Sequence, residues 1–230
     1  MLVLQLLLHS NLYFIRDLRV PFFLSMTTPI ATDTELSAVN SILGSIGQSP
    51  ITVLAGNPNP EVTFIKNIFD ECTKDVQNEG WHFNTEHGVP VQPDGSGQIP
   101  VPSNYLRYDL ADGQADRQMD LVKRDGKLYD KVNHTNVFTV DKLELDIVYL
   151  FNFTDLPSVF QRYIIALASS RAAAQLITNP QLVQLLQQQE ARTRAAVMDY
   201  ECEQGDHSFL GWPHGTSYRS YQPYKALNRR

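Results

Sequence analysis

The hydrophobic positions of this chain change rhythm twice. Leu36, Val39, Ile42, Leu43 and Ile46 recur at steps of three and four, the period of an α-helix with one buried face. Thr32 and Glu35 stand ahead of them at the T-x-x-E spacing of a capping box, and Gly47 follows as a stop, so a helix is predicted over 33–46. Pro50 then leads a short apolar run, Ile51 to Leu54, and Gly56-Asn57-Pro58-Asn59-Pro60 is rich in turn formers. Pro60 suits the first position of a second helix with Asn59 as its cap. Val62, Ile65, Ile68, Phe69, Cys72 and Val76 form its stripe. Its other face carries Glu71, Asp75 and Glu79 at spacing four, where like charges repel mildly. This row reads as a solvated face or as an acidic surface with a task.

From Gly80 to about Thr154 the rhythm shortens. Val, Ile, Tyr, Phe and Leu come in brief runs broken by Pro, Gly, Asn and Asp, the texture of strands. The runs are Trp81–Thr85, Gln98–Val101, Asp120–Arg124, Lys127–Val132, Phe138–Val140 and Leu145–Phe151. Asp125-Gly126 between two of them is a two-residue hairpin signal. Pro90 to Pro102, with Pro93-Asp94-Gly95-Ser96-Gly97 inside it, reads as a mobile loop.

The helical period then returns. Pro157 opens a third helix, with Asp155 or Thr154 as cap and Phe160, Ile164, Leu167 and Ala168 on its apolar face. Its second half, Ala166 to Ala174, is rich in Ala and Ser, which lets a neighbouring helix come close. Asn179-Pro180 starts a fourth helix over roughly 180–203, with the stripe Leu182, Leu185, Leu186, Thr193, Ala196, Val197 and Tyr200. Five glutamines between 181 and 189 make a polar, uncharged surface, either an ordinary exposed face or one suited to helix–helix contact.

The order is helix–helix, a β-rich middle, then helix–helix. Strands segregated from helices in this way predict an α+β fold: a bundle of about four helices with a β-rich insertion between its pairs. The boundaries expected are 26–80 and 155–204 for the bundle, 81–154 for the β-rich domain, and 205–230 for an extended C-terminal arm. The arm has no period. It holds Phe209, Trp212, Tyr218, Tyr221 and Tyr224, and Arg219, Lys225, Arg229 and Arg230 outweigh Asp206 for a net +3, against −10 over 26–204. An aromatic, basic extension on an acidic body reads as a docking arm, because Tyr, Trp and Arg dominate interface energetics. The other reading folds it back on its own domain.

Residues 1–25 precede Met26, whose MTTPIATDTELSAV looks like a natural start. Their apolar stretch is too short and too interrupted for a membrane span and lacks a basic signal-peptide start. The leader is either an extension upstream of the natural start or a short segment that docks on a partner.

Composition narrows the chemistry. The chain has 230 residues, 43% of them hydrophobic, and a formal net charge of −6, so wrapping duplex DNA or an anionic membrane is disfavoured. Cys72 and Cys202 signal neither a disulfide framework nor a zinc site. No P-loop, G-x-G-x-x-G, G-x-S-x-G or H-E-x-x-H is present, and no cofactor site is signalled. His82 and His87 fall on opposite faces of a strand, and Asp109, Asp112, Asp116 and Asp120 lack the ligand spacing of an EF-hand.

The segments, taken in order, resemble the tail tubular protein A family, the adaptor or gatekeeper ring of short-tailed bacteriophages. The resemblance rests on SILGSIGQSPI ending the first helix, GWHFNTE at 80–86, IPVPSNYLRYD at 99–109, LVKRDGKLYD at 121–130 and FTDLPSVFQRYIIALASSRAAAQL at 153–176. It covers about Thr34 to Glu203. The resemblance implies a virion tail protein, assembled in the host cytoplasm, that forms a dodecameric ring between the portal and the tubular nozzle protein. Tail fibres would attach near the nozzle junction, and DNA would pass through the lumen without sequence-specific binding. No catalytic centre, cofactor or membrane insertion is then needed. The arm residues Phe209, Trp212, Tyr218, Arg219, Tyr221, Tyr224, Lys225, Arg229 and Arg230 become candidates for portal docking. Glu71, Asp75 and Glu79, or the 109–120 run, become candidates for a lumen that repels DNA phosphates. The alternative is a virion-associated cell-wall or polysaccharide hydrolase, which would need paired carboxylates, one of raised pKa.

Overall fold

The computed structural model describes residues 34–56, 58–111 and 119–204, and the α+β class holds across them. Four helices, α1 (Glu35–Ser45), α2 (Pro60–Asn78), α3 (Ser158–Leu176) and α4 (Pro180–Gln204), flank five strands in the chain. The strands are β1 (Thr85–Val91), β2 (Tyr105–Leu110), β3 (Leu121–Arg124), β4 (Lys127–Asp130) and β5 (Leu143–Tyr149).

The helix ends follow local chemistry. Thr34 caps α1 by accepting from the Ser37 amide at 3.2 Å. Thr32, expected to open a capping box, lies outside the described residues; Glu35, its expected partner, is the first helical residue rather than the third. At the other end the Gly47 amide donates to Gly44 O and the Gln48 amide to Leu43 O. This is a Schellman motif, and it needs the φ of +79° that Gly47 supplies. Asn59 caps α2 as expected, its Oδ1 accepting from Glu61 N at 3.0 Å with Pro60 at N1. The cap of α3 differs from expectation. Thr154 and Asp155 are used up in a 3₁₀ turn, Phe153–Asp155, and Pro157 takes the cap position. Gln161 instead reaches back from the first turn to donate to Phe153 O at 2.9 Å.

The helical core joins Val39, Ile42, Leu43, Ile65, Phe69, Cys72, Phe160, Ile164, Ala168 and Val197, among others. The small residues of α3, from Ala166 to Ala173, are mostly buried there, with α4 lying along that helix. The α4 stripe is narrower than its sequence pattern. Leu186 and Val197 are buried, but Leu185 is 62% exposed and Ala196 is exposed. The inward face runs instead through Leu182, Leu186, Glu190, Thr193, Arg194 and Val197, with polar and charged positions set between apolar ends.

The β-rich part is a three-stranded antiparallel sheet, order β1-β5-β2, and a separate β3-β4 hairpin. Leu143, Leu145 and Ile147 of β5 point to one face, where they meet Leu110, Ile99, Val101, Phe138 and the hairpin's Leu121 and Leu128. The hairpin thus forms a second layer on the inner face of the sheet. Its turn, Asp125-Gly126, has positive φ at both residues, as the sequence signal requires.

Several strand expectations shift. Trp81–Thr85 is not a strand: His82–Asn84 forms a 3₁₀ turn because Trp81 and Phe83 pack on Phe160, and β1 begins at Thr85. Pro90 and Val91, expected in the loop, complete β1, which lies at a sheet edge where proline is tolerated. Gln98–Val101 makes only one bridge, Pro100 to Lys127, since prolines at 100 and 102 remove ladder donors. Phe138–Val140 buries Phe138 without joining a sheet. Tyr105–Leu110 is a strand that the pattern hid, because an irregularity between Tyr105 and Arg107 breaks the two-residue period. The loop over 93–97 is closed by hydrogen bonds: Asp94 Oδ1 accepts from Ser96 N, Ser96 Oγ and Gln98 N.

Candidate functional site

The three candidate acids, Glu71 and Asp75 on α2 and Glu79 at its C-cap, have different fates. Asp75 accepts from Arg171 of α3 at 2.7 Å. Glu79 receives both guanidinium nitrogens of Arg194 on α4, each at 2.7 Å. The same guanidinium donates to Tyr163 Oη at 3.0 Å and lies 5.7 Å from the Trp81 ring centroid. Its hydrogen bonds to Glu79, then to Tyr163, hold its pKa well above the ordinary arginine value. Two of the three carboxylates therefore stitch helices together, and Glu71 remains an exposed acid on that face.

At the C-terminal end of α2 the helices meet the sheet through a buried polar joint. Gln77 is fully buried. Its Oε1 accepts from Phe151 N at 2.8 Å and its Nε2 donates to Phe151 O at 3.1 Å, so the side-chain amide pairs with backbone as a neighbouring strand would. Asn84 donates to Gln77 O at 2.8 Å and to Tyr149 O at 2.9 Å, while its Oδ1 accepts from Trp81 N. The Trp81 indole donates to Val76 O at 2.6 Å. Gly80 turns the chain between these groups at φ +80°, and a Cβ there would lie 2.7 Å from the Arg107 guanidinium and 3.3 Å from Val148. In the last turn of α4, Glu201 accepts from His82 N at 2.8 Å. The point from which residues 205–230 depart is thereby anchored beside the joint. Sequence reasoning missed Gln77 and Asn84, because a lone amide in an apolar stripe carries no pattern of its own.

The candidate arm residues Phe209, Trp212, Tyr218, Arg219, Tyr221, Tyr224, Lys225, Arg229 and Arg230 lie outside the described residues, as do Asp112 and Asp116. Asp109 is exposed on β2, and Asp120 pairs with Lys131 at 2.7 Å. His82 and His87 are not brought together: His87 Nδ1 lies 3.1 Å from Asp146.

Two open clefts mark the surface. One, of about 340 Å³, lies between α2 and the segment after β5 and includes Asp70, Lys74, Asn104 and Phe151. The other, of about 520 Å³, lies beside the hairpin and includes Arg124, Lys127, Tyr129 and His134. A glycosidase would need one carboxyl of raised pKa. Among the described residues, the carboxyls with displaced values, Asp94 and Asp130, move the other way. Hydrogen bonds from Ser96 and Gln98 lower Asp94, and at Asp130 burial is overcome by hydrogen bonds from Asn133 and backbone amides. Among the described residues no group of three His, Cys, Asp or Glu side chains could hold a metal ion. No described helix is long and apolar enough to cross a membrane.

The geometry is that of two cores joined through a buried polar joint. A family model described as tail tubular protein matches residues 36–207, which spans the bundle and the β-rich part. The chain belongs to the tail tubular protein family and is a structural component of the phage tail. No curated protein matches the sequence.

Proposed function

We propose that the chain is the adaptor, or gatekeeper, subunit of a short phage tail. It forms a ring, dodecameric as the resemblance implies, between the portal and the tubular nozzle protein. It offers part of the tail-fibre attachment site and lets DNA pass through the lumen without sequence-specific contacts. The family match over 36–207 carries this reading. Heterologous contacts whose rotation closes give such a ring. The C-terminal arm, with its nine aromatic and basic candidates, docks on the portal. With Asp75 and Glu79 paired with arginines, Glu71 is the one of the three candidate acids left to charge a lumen wall. The particle mass and shape of the full chain, with and without portal, test the reading by light scattering and negative-stain microscopy. A ring of about twelve copies, or one formed only on the portal, is the expected result. A monomer beside a competent portal would overturn it. Deleting 205–230 should leave folding unchanged and weaken portal docking.

A further inference from the structure

The β-rich part has two outward faces of opposite character. On the sheet, alternation sends Leu143, Leu145 and Ile147 inward and Glu144 and Asp146 outward. The register places Asp109 of β2 directly opposite Asp146 of β5, so two carboxylates face each other across one pair of strands. Like charges directly opposite destabilise a sheet. Asp146 is eased by His87 and by the Gly88 amide, and Glu144 by Lys142. Asp109 accepts only from its own neighbour, the Leu110 amide, among the described hydrogen bonds.

On the hairpin, Leu121 and Leu128 point inward, and the register puts Val122, Arg124, Lys127 and Tyr129 on the other face. Arg124 stacks on Tyr129, its guanidinium carbon 3.9 Å from the ring centroid. Stacking fixes the plane of the guanidinium and leaves its edge of donors pointing outward, the geometry that receives a carboxylate. Among the described residues no carboxylate lies within salt-bridge distance of Arg124. Lys127 and the exposed His134 line the same open cleft, with Asp125 as its one acid. Since the hairpin packs on the inner face of the sheet, the stacked arginine and the opposed aspartates lie on opposite sides of one two-layer unit.

We propose that these faces are the two halves of one contact between copies of this chain: the Arg124–Tyr129 face of one copy docks on the Asp109–Asp146 face of the next. Each half supplies what the other lacks, a pre-oriented fork of donors for Asp109, the carboxylate of the opposed pair that is held only by its own neighbour. A contact between opposite sides of the same unit is heterologous and propagates from copy to copy, as a ring requires. The inference rests on the ring reading above and names a surface that would close it.

Charge exchange in the full-length chain tests it. Wild type is measured first, by sedimentation and negative-stain microscopy on and off the portal. If wild type never assembles, the ring reading itself has failed. If it does, Arg124→Glu and Asp109→Arg should each weaken self-assembly roughly tenfold or more, since like charges then meet across the contact. Circular dichroism should show both variants folded. An equal mixture of the two should assemble again, because each altered face then meets its complement, and Arg124→Glu/Asp109→Arg should assemble alone. Unimpaired assembly of Arg124→Glu would overturn the proposal. So would a folded double variant that stays as weak as its parents. If Arg124→Glu instead loses retention on duplex DNA while assembling normally, the hairpin faces nucleic acid and the proposal is wrong.

Discussion

The helical and β-rich parts bury cores of similar character by different routes. In the helical part, residues close in sequence share a face, and Val62, Ile65, Ile68, Phe69, Cys72 and Val76 form the apolar buried side of α2. In the β-rich part, the core is gathered from Ile99, Leu110, Leu121, Leu128, Phe138 and Leu145, residues that lie on different strands and loops. The first core is largely set by local period, the second by register. The contrast teaches where each part is vulnerable: the bundle to lost volume, the β-rich part to lost hydrogen bonds that fix pairing and turns.

The largest effect is expected from Phe160→Ala. Phe160 is fully buried and its ring meets Trp81 at 5.1 Å, Phe83 at 4.6 Å and Tyr200 at 6.0 Å between centroids. Its truncation removes a large buried ring and leaves a cavity, at a cost of about 3–5 kcal/mol. Chemical denaturation should show that loss. A companion probe is Cys72, a fully buried thiol whose pKa burial pushes up to about 12. In wild type only Cys202, which is exposed, should react quickly with a thiol reagent, and Phe160→Ala should speed the reaction of Cys72.

Gln77→Ala comes next and bears on the division itself. It leaves the Phe151 amide and carbonyl without their side-chain partner at a buried joint, costing about 2–3 kcal/mol. Because the joint links bundle to sheet, hydrogen exchange should show loss of protection at Phe151 and at the end of β5 before the centre of α3. Equal loss everywhere would mean that the two cores unfold as one.

The same division explains how much the sequence revealed. Three helices were legible because a three-to-four-residue period survives in Leu36–Ile46, in α2 and in α3, and the fourth because Asn179-Pro180 marks its start, although its inward face differs from its stripe. The hairpin was legible because Asp125-Gly126 dictates its turn. β2 was not, since its pairing skips at Tyr105/Arg107 and its neighbours come from β5, far along the chain. The cap at Thr34 in place of Thr32 was a choice between two nearby threonines that only helix register decides. Of the candidate site, the acidic row was visible, but its neutralisation by Arg171 and Arg194 depends on how α3 and α4 pack. Gln77 and Asn84 could not be found by pattern, because their value lies in backbone groups of Phe151 and Tyr149.

A third prediction uses pH on the β-rich part. Asp130 is 1% exposed; its Oδ1 accepts from Asp120 N and Val132 N, and its Oδ2 from Asn133 Nδ2. Burial opposes the charged form, but these hydrogen bonds prevail and hold its pKa below the usual carboxylate value. A depressed folded pKa contributes stability above the unfolded value of about 3.9, and that contribution is lost as pH falls through the folded one. Wild type should therefore lose stability in the acid limb below about pH 4. Asp130→Asn keeps one acceptor but turns a donor toward Asn133. It should cost about 1–2 kcal/mol at neutral pH and flatten the acid limb. An unchanged acid limb would show that Asp130 is not the group titrating there.

The smallest effects separate the two arginines that tie α2 to the other helices. Arg171 meets Asp75 through one nitrogen, and both side chains are well exposed, 39% and 57%. Solvent screens such a pair, so Arg171→Ala should cost about 0.5 kcal/mol or less. Arg194 is as exposed, at 40%, but it grips Glu79 with two nitrogens, reaches Tyr163 and lies over Trp81. Geometry and stem packing, not exposure, should then decide, and Arg194→Ala should cost about 1–2 kcal/mol. Arg194→Lys keeps the charge and loses the fork. If shape matters more than charge, the lysine variant should recover less than half of the loss in a urea titration. Full recovery would show that the tie between α2 and α4 is charge alone, and the bundle would then depend on packing even more than its period implies.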